Sequence, residues 1–153
     1  MNKTMKLHTL HRSTELEMYA TCRTKTLSLP FVESGIQAGF PSPANDHLDI
    51  TIDLNKELVK HPSATFYARV RGDSMRDAGI EEGDLLVVDR SLEPVSGKIA
   101  VCCLNGEFTV KRLSIEPTAC VLLPANNQYK PIRVSSSDDF LVWGMVVHVI
   151  KSL

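Results

Sequence analysis

A mainly β fold, compact and partly closed, is predicted by three features of this 153-residue sequence. Phe66, Ala68 and Val70 alternate with Tyr67, Arg69 and Arg71, the period of a half-buried strand, and the run stops at Gly72. Asn105-Gly106 separates two apolar runs. Because both central residues of a type I′ turn need positive φ, this dipeptide marks a hairpin joining a strand over 98–104 to one over 107–113. Helical periodicity is almost missing: Leu54 to His61 alone reads as a short helix, ended by Pro62.

The remaining elements follow from length and flanking residues. Leu85 to Val88 is a short, β-branched apolar run, which suits a buried strand better than a helix. Cys120 to Leu123 and Phe140 to Ile150 read as further strands, with a loop over Pro124 to Pro131. Residues 1 to 30 mix Thr, Ser, Lys and Arg with scattered Leu and offer neither strand alternation nor a sustained helical stripe, so they are expected to form a flexible N-terminal arm. Phe31 to Pro43 carries Gly35, Gly39, Pro41 and Pro43 and reads as an extended linker. There is no internal repeat.

Composition narrows the function. With 43% apolar residues the chain can build one domain core plus a short extra segment. A formal net charge of −1 lacks the basic excess that binds phosphates, so direct sequence-specific DNA binding is not expected and a protein partner fits better. The longest apolar run, Ile99 to Leu104, falls far short of the roughly 18 residues that span a bilayer. The lysines of Met1 to Lys6 lead into His8, His11, Arg12 and Ser13 rather than an apolar segment, which argues against a secretory signal and for a cytoplasmic protein. Cys22, Cys102, Cys103 and Cys120 show no CxxC spacing and are read as reduced packing residues. His8 and His11 have no third ligand near them in sequence, so neither a metal nor a cofactor is predicted.

The chemistry starts at Ser74. It lies in Gly72-Asp73-Ser74-Met75, directly after a strand, where a turn opened by glycine can expose a hydroxyl and aim successive N–H groups at one point. An ordinary turn or helix cap has the same residues. A nucleophilic serine needs a base, and His47, His61 and His148 sit in no triad pattern. A lysine three positions later is excluded, since Asp77 stands there, so a lysine base has to come from a distant strand. Lys111, on the return strand of the hairpin, can serve if burial lowers its pKa from about 10.4 toward roughly 7 to 8; Arg112 cannot, because a guanidinium stays charged. Alternation leaves the facing of Lys111 open, since Phe108 and Val110 share a face with Arg112, and a solvated strand lysine is the other reading.

Gly72-Asp73-Ser74-Met75, Gly79-Ile80, Gly83-Asp84 and Gly106 to Lys111 together resemble the catalytic signature of the LexA/UmuD family of self-cleaving peptidases, and Lys111 follows Ser74 by the 37 positions of that pattern. Ala38-Gly39 resembles the family's scissile bond, and Gly39 to Ala44, Asp53-Leu54-Asn55 and His61 to Thr65 extend the likeness over about Ser34 to Leu153. The resemblance implies that Ser74 is the nucleophile, Lys111 the general base, and the N–H groups of Ser74 and Met75 the oxyanion donors. It implies an arm, residues 1–38, removed by cutting, and a Ser-Lys peptidase-like β domain over 39–153. It further implies stimulation by a RecA filament on single-stranded DNA, and a shortened homodimer that joins UmuC in a translesion polymerase. Only 38 residues precede the bond, against about 60 for a helix-turn-helix domain, so a LexA-like repressor is the lesser alternative. A non-catalytic interaction module is the other, and a membrane-anchored signal peptidase is disfavoured by the missing apolar anchor.

Overall fold

A computed structural model describes residues 9–12, 16–20, 28–30 and 51–153. The chain divides into two units, Met1–Cys22 with His61–Leu153, and Arg23–Lys60. The larger unit contains β1 (Thr9–Arg12) and β2 (Leu16–Ala20); the smaller contains β3 (Ser28–Pro30), β4 (Thr51–Asp53) and the helix α1 (Leu54–Leu58). The larger unit then continues through β5 (Thr65–Val70), β6 (Leu85–Asp89), β7 (Ile99–Leu104), β8 (Glu107–Ile115), β9 (Cys120–Leu123), β10 (Ile132–Val134) and β11 (Phe140–Ile150).

In the smaller unit β3 and β4 pair antiparallel, with Leu29 opposite Ile52. The Asp53 side chain caps α1 by accepting from the Asn55 N–H at 3.0 Å, which satisfies one of the free donors of the first turn. The helix ends at Leu58, three residues before the predicted His61, because Val59 is already extended at φ −116°.

The larger unit is one antiparallel sheet of nine strands in the order β1-β2-β5-β6-β11-β7-β8-β9-β10. Its predicted strands appear close to their expected bounds, and the β7–β8 hairpin turns on Asn105 and Gly106, whose φ values are 50° and 85°. Four expectations need correction. The sheet is not closed: β1 and β10 end it, where partial closure was predicted. The stretch 1–30, read as an arm without strands, contributes β1, β2 and β3. Leu16, Met18 and Ala20 alternate with Glu17 and Tyr19, so β2 has the period-two pattern after all, in a run of five residues too short to stand out from its polar surroundings. β4 and β10 were not predicted, and each is only three residues long.

Apolar side chains pack on both faces of this sheet. One cluster gathers Leu16 and Met18 from β2, Ala68 and Val70 from β5, Leu86 and Val88 from β6, Val101 and Val110, and the turn residues Met75 and Ile80. The other gathers Ala100, Cys102, Leu113, Leu122 and Met145. β8 therefore has no fully solvated face: Val110 belongs to the first cluster, while Thr109, Lys111 and Leu113 are buried on the opposite side. Trp143 of β11 packs edge-on against Phe66 and Phe108, with ring centroids 5.1 and 5.7 Å away, and the Arg90 guanidinium lies 4.5 Å from its ring centre.

Candidate active site

β5 ends at Val70, and the chain turns at Gly72 with φ +80°, a conformation that costs glycine little. Ser74 follows, half-buried, and a 3-10 turn over Arg76–Ala78 closes at Gly79 in the left-handed region. Met75 is buried in the first cluster and so ties the turn to the core directly beside Ser74. Val70, Gly72, Ser74, Met75, Ile80 and Val110 line a narrow cleft at this point.

The base candidate arrives from β8. Lys111 is 3% exposed, and its Nζ donates to Ser74 Oγ at 3.0 Å, to Thr109 Oγ1 at 2.7 Å and to the Val110 carbonyl at 3.0 Å. Strand alternation explains the Thr109 contact, since residues two apart project from one face. The half-buried hydroxyl and the buried amine therefore meet although 37 positions separate them in sequence. Among the described residues no group accepts from the N–H of Ser74 or Met75. The Ala38–Gly39 bond lies outside the described residues.

The loop after β9 holds the turn, a role that no sequence pattern signalled. Ala125 N–H donates to the Ser74 carbonyl at 2.8 Å, and Asp77 N–H donates to the Ala125 carbonyl at 2.7 Å. Asn126, itself buried, donates through Nδ2 to the Asp73 carbonyl at 3.0 Å, while its Oδ1 accepts from the Gln128 N–H at 3.0 Å. Tyr129 adds a hydroxyl donated to Asp73 Oδ1 at 2.7 Å. A serine on a short turn is thus fixed by main-chain bonds on one side and by Met75 burial on the other.

The remaining candidates lie elsewhere. His61 Nδ1 is 2.5 Å from Asp89 Oδ2, at the end of the sheet where Thr65 faces Asp89, and the Ser74 turn leaves the opposite end of β5. Burial pushes the Asp89 carboxyl up, but hydrogen bonds from Ser91 and His61 outweigh it and hold the group below the usual carboxylate range. Cys102, Cys103 and Cys120 are free thiols. Cys102 is fully buried, and burial above all pushes its thiol up to about 12, so it stays protonated and unreactive at neutral pH. Among the described residues no three His, Cys, Asp or Glu side chains gather as for a metal. Cys22 and the side chains of His8, His11 and His47 fall outside the description. No helix among the described residues is long and apolar enough to cross a membrane.

Comparison with known proteins adds a family. Residues 30–147 match the family described as Peptidase S24-like. The chain is 44% identical over 122 residues to Protein MucA of Salmonella typhimurium, covering 79% of this chain and 83% of that one. It is 42% identical over 121 residues to Protein ImpA of Shigella flexneri, covering 79% and 82%. With the LexA repressor of Bordetella parapertussis it shares 40% over 126 residues, covering 82% of this chain but 57% of the repressor.

Proposed function

The chain belongs to the Peptidase S24-like family, among its UmuD-like members, and from that premise we propose that it is self-cleaving, with Ser74 and Lys111 cutting the chain's own Ala38–Gly39 bond. The reading is carried by one observation: a lysine amine, 3% exposed, lies 3.0 Å from the hydroxyl of a serine on a pinned turn. That distance is within reach for proton transfer. Burial works against the ammonium form, and only the uncharged amine accepts a proton.

In the proposed reaction Lys111 Nζ takes the Ser74 proton as Oγ attacks the Ala38 carbonyl carbon. The N–H groups of Ser74 and Met75 hold the oxyanion. The carbon–nitrogen bond to Gly39 breaks, the proton on Lys111 passes to the departing amine, and Ala38 is left as an ester on Ser74. Water, deprotonated by the same amine, releases it. A small residue before the bond and glycine after it let an extended strand come close to the hydroxyl, which suits Ala38 and Gly39. A positioned base supplies about 100-fold to 10,000-fold, and each oxyanion donor about 2.7 to 4 kcal/mol, so presentation of the bond decides the rate. We place the reaction in the cytosol. A RecA filament on single-stranded DNA favours the docked bond, and the shortened protein, residues 39–153, acts as a homodimer with a UmuC-type polymerase subunit.

The test is intact mass after incubation at alkaline pH. A species running from Gly39 to Leu153 is expected, with a rate that climbs with pH as the lysine loses its proton. Ser74→Ala and Lys111→Ala each abolish it; cutting that survives in both variants overturns the assignment. Mass analysis with and without RecA, single-stranded DNA and an ATP analogue tests the stimulation.

A further inference from the structure

β1 and β2 are the two outermost strands on one side of the nine-stranded sheet, and both precede Ala38 in sequence. β2 is built into the core. It pairs with β5 along its whole length, Leu16 opposite Val70, Met18 opposite Ala68 and Ala20 opposite Phe66. Leu16 and Met18 are 0% and 1% exposed and share a cluster with Val70, Leu86, Val88 and Met75. Between them Glu17, also buried, takes an ion pair from Arg71 and a hydrogen bond from Tyr19 at 2.6 Å. In the smaller unit β3 and β4, which also flank Ala38–Gly39 in sequence, pair with each other.

A strand in a sheet is held by its neighbour's main chain and by buried side chains, and neither needs covalent continuity with the rest of the domain. Loss of β1 and β2 strips two fully buried side chains from the cluster that seats Met75. It also leaves β5 as a bare edge, a template for pairing with another chain. We propose that residues 1–38 stay bound after the bond is cut, with β2 still seated on β5, so that scission yields a two-chain body whose leader departs only when its strand is displaced.

The inference rests on the proposed cut at Ala38–Gly39, and the test separates the two. A Ser74→Ala chain carrying a recognition sequence for a site-specific protease after Ala38 is cut from outside, then passed over a sizing column and read by native mass spectrometry. Co-elution of the two pieces in equal numbers, at the mass of the uncut protein's own assembly, is expected, whether or not the parent chain cuts itself. Hydrogen exchange at Thr65–Val70 should remain as slow in the cut protein as in the intact one. Met18→Ala should raise the free fraction of the leader by about 10-fold or more on dilution. Separate elution of the pieces, precipitation of residues 39–153 with the leader left in solution, or fast exchange along β5 after cutting would each overturn the proposal.

Discussion

Thr109 Oγ1 stands 2.7 Å from Lys111 Nζ, on the same face of β8 and buried with it. The contact gives the amine a fixed direction. A lysine side chain has four rotatable carbons and many conformers, and an acceptor on one side with the Val110 carbonyl on another selects those that reach Ser74. Thr109→Val deletes the acceptor while keeping the branched shape. Loss of one hydrogen bond of about 0.5–1.5 kcal/mol implies self-cleavage slower by about 3- to 10-fold. Timed mass spectra check this, and Thr109→Ser should cut near the parent rate. Equal losses in both would assign the effect to packing instead of the hydroxyl.

Asp89 ties stability to acid. Its carboxyl accepts from Ser91 N–H at 2.8 Å, from Ser91 Oγ at 2.6 Å, and meets His61 at 2.5 Å. These hold its folded pKa below the ordinary carboxylate value. The folded state then binds fewer protons than the unfolded one. The contribution is whole above the unfolded pKa of about 3.9 and disappears as pH falls through the folded value. Urea midpoints measured from pH 6 downward should drop most steeply below about pH 4. Asp89→Asn should flatten part of that drop, and an unchanged pH profile would remove Asp89 from the account.

Gly144 sits where β11 presses on β6. A Cβ there would lie 2.7 Å from Val88 Cγ1, 3.2 Å from Arg90 Cγ and 3.4 Å from the Asp89 carbonyl. Overpacking of this kind costs about 1–3 kcal/mol. Gly144→Ala should therefore lower the urea midpoint, and the drop it causes should be smaller in a Val88→Ala background, where room has been opened at that background's own cost in core packing. Full additivity of the two substitutions would show that the close approach is relieved elsewhere.

Legibility in the sequence followed the length of each pattern. β5, the β7–β8 hairpin and β11 were readable because alternation, a type I′ dipeptide or a long β-branched run marks them. β2 was missed because Leu16, Met18 and Ala20 make a pattern of five residues within polar chain. β10 was missed because three largely exposed residues after Pro131 carry no burial signal. At the candidate site, Ser74 could be singled out by its turn, but the facing of Lys111 could not be read from alternation. Both sides of β8 are covered, so Val110 and Lys111 are equally buried and period two has no polar side to point at. The pairing of Ser74 with Lys111 came from resemblance, and the two atoms stand 3.0 Å apart. Ala125 and Asn126 carry no sequence signal because their contribution is to main-chain groups, which no residue type announces.

Asn126 gives the sharpest separation between holding the turn and performing chemistry. Its Nδ2 binds the carbonyl of Asp73, the residue before Ser74, and its own Oδ1 accepts from Gln128 N–H, so one buried side chain links the loop to the turn. Asn126→Ala removes this bond and leaves the Asp73 carbonyl only its turn bond from the Arg76 N–H, at a cost of about 0.5–1.5 kcal/mol in the stability of the turn. If the turn loosens, Ser74 Oγ spends less time near Lys111, and cutting slows by about 10-fold or more even where the protein remains folded. Its dependence on pH should keep the parent's shape, since the proton still goes to the same amine. Asn126→Asp keeps an acceptor for Gln128 but loses the donor to Asp73, so it should resemble Asn126→Ala in rate. A parental rate in Asn126→Asp would move the hold on Ser74 from this side chain to the Ala125 main chain, whose N–H lies 2.8 Å from the Ser74 carbonyl.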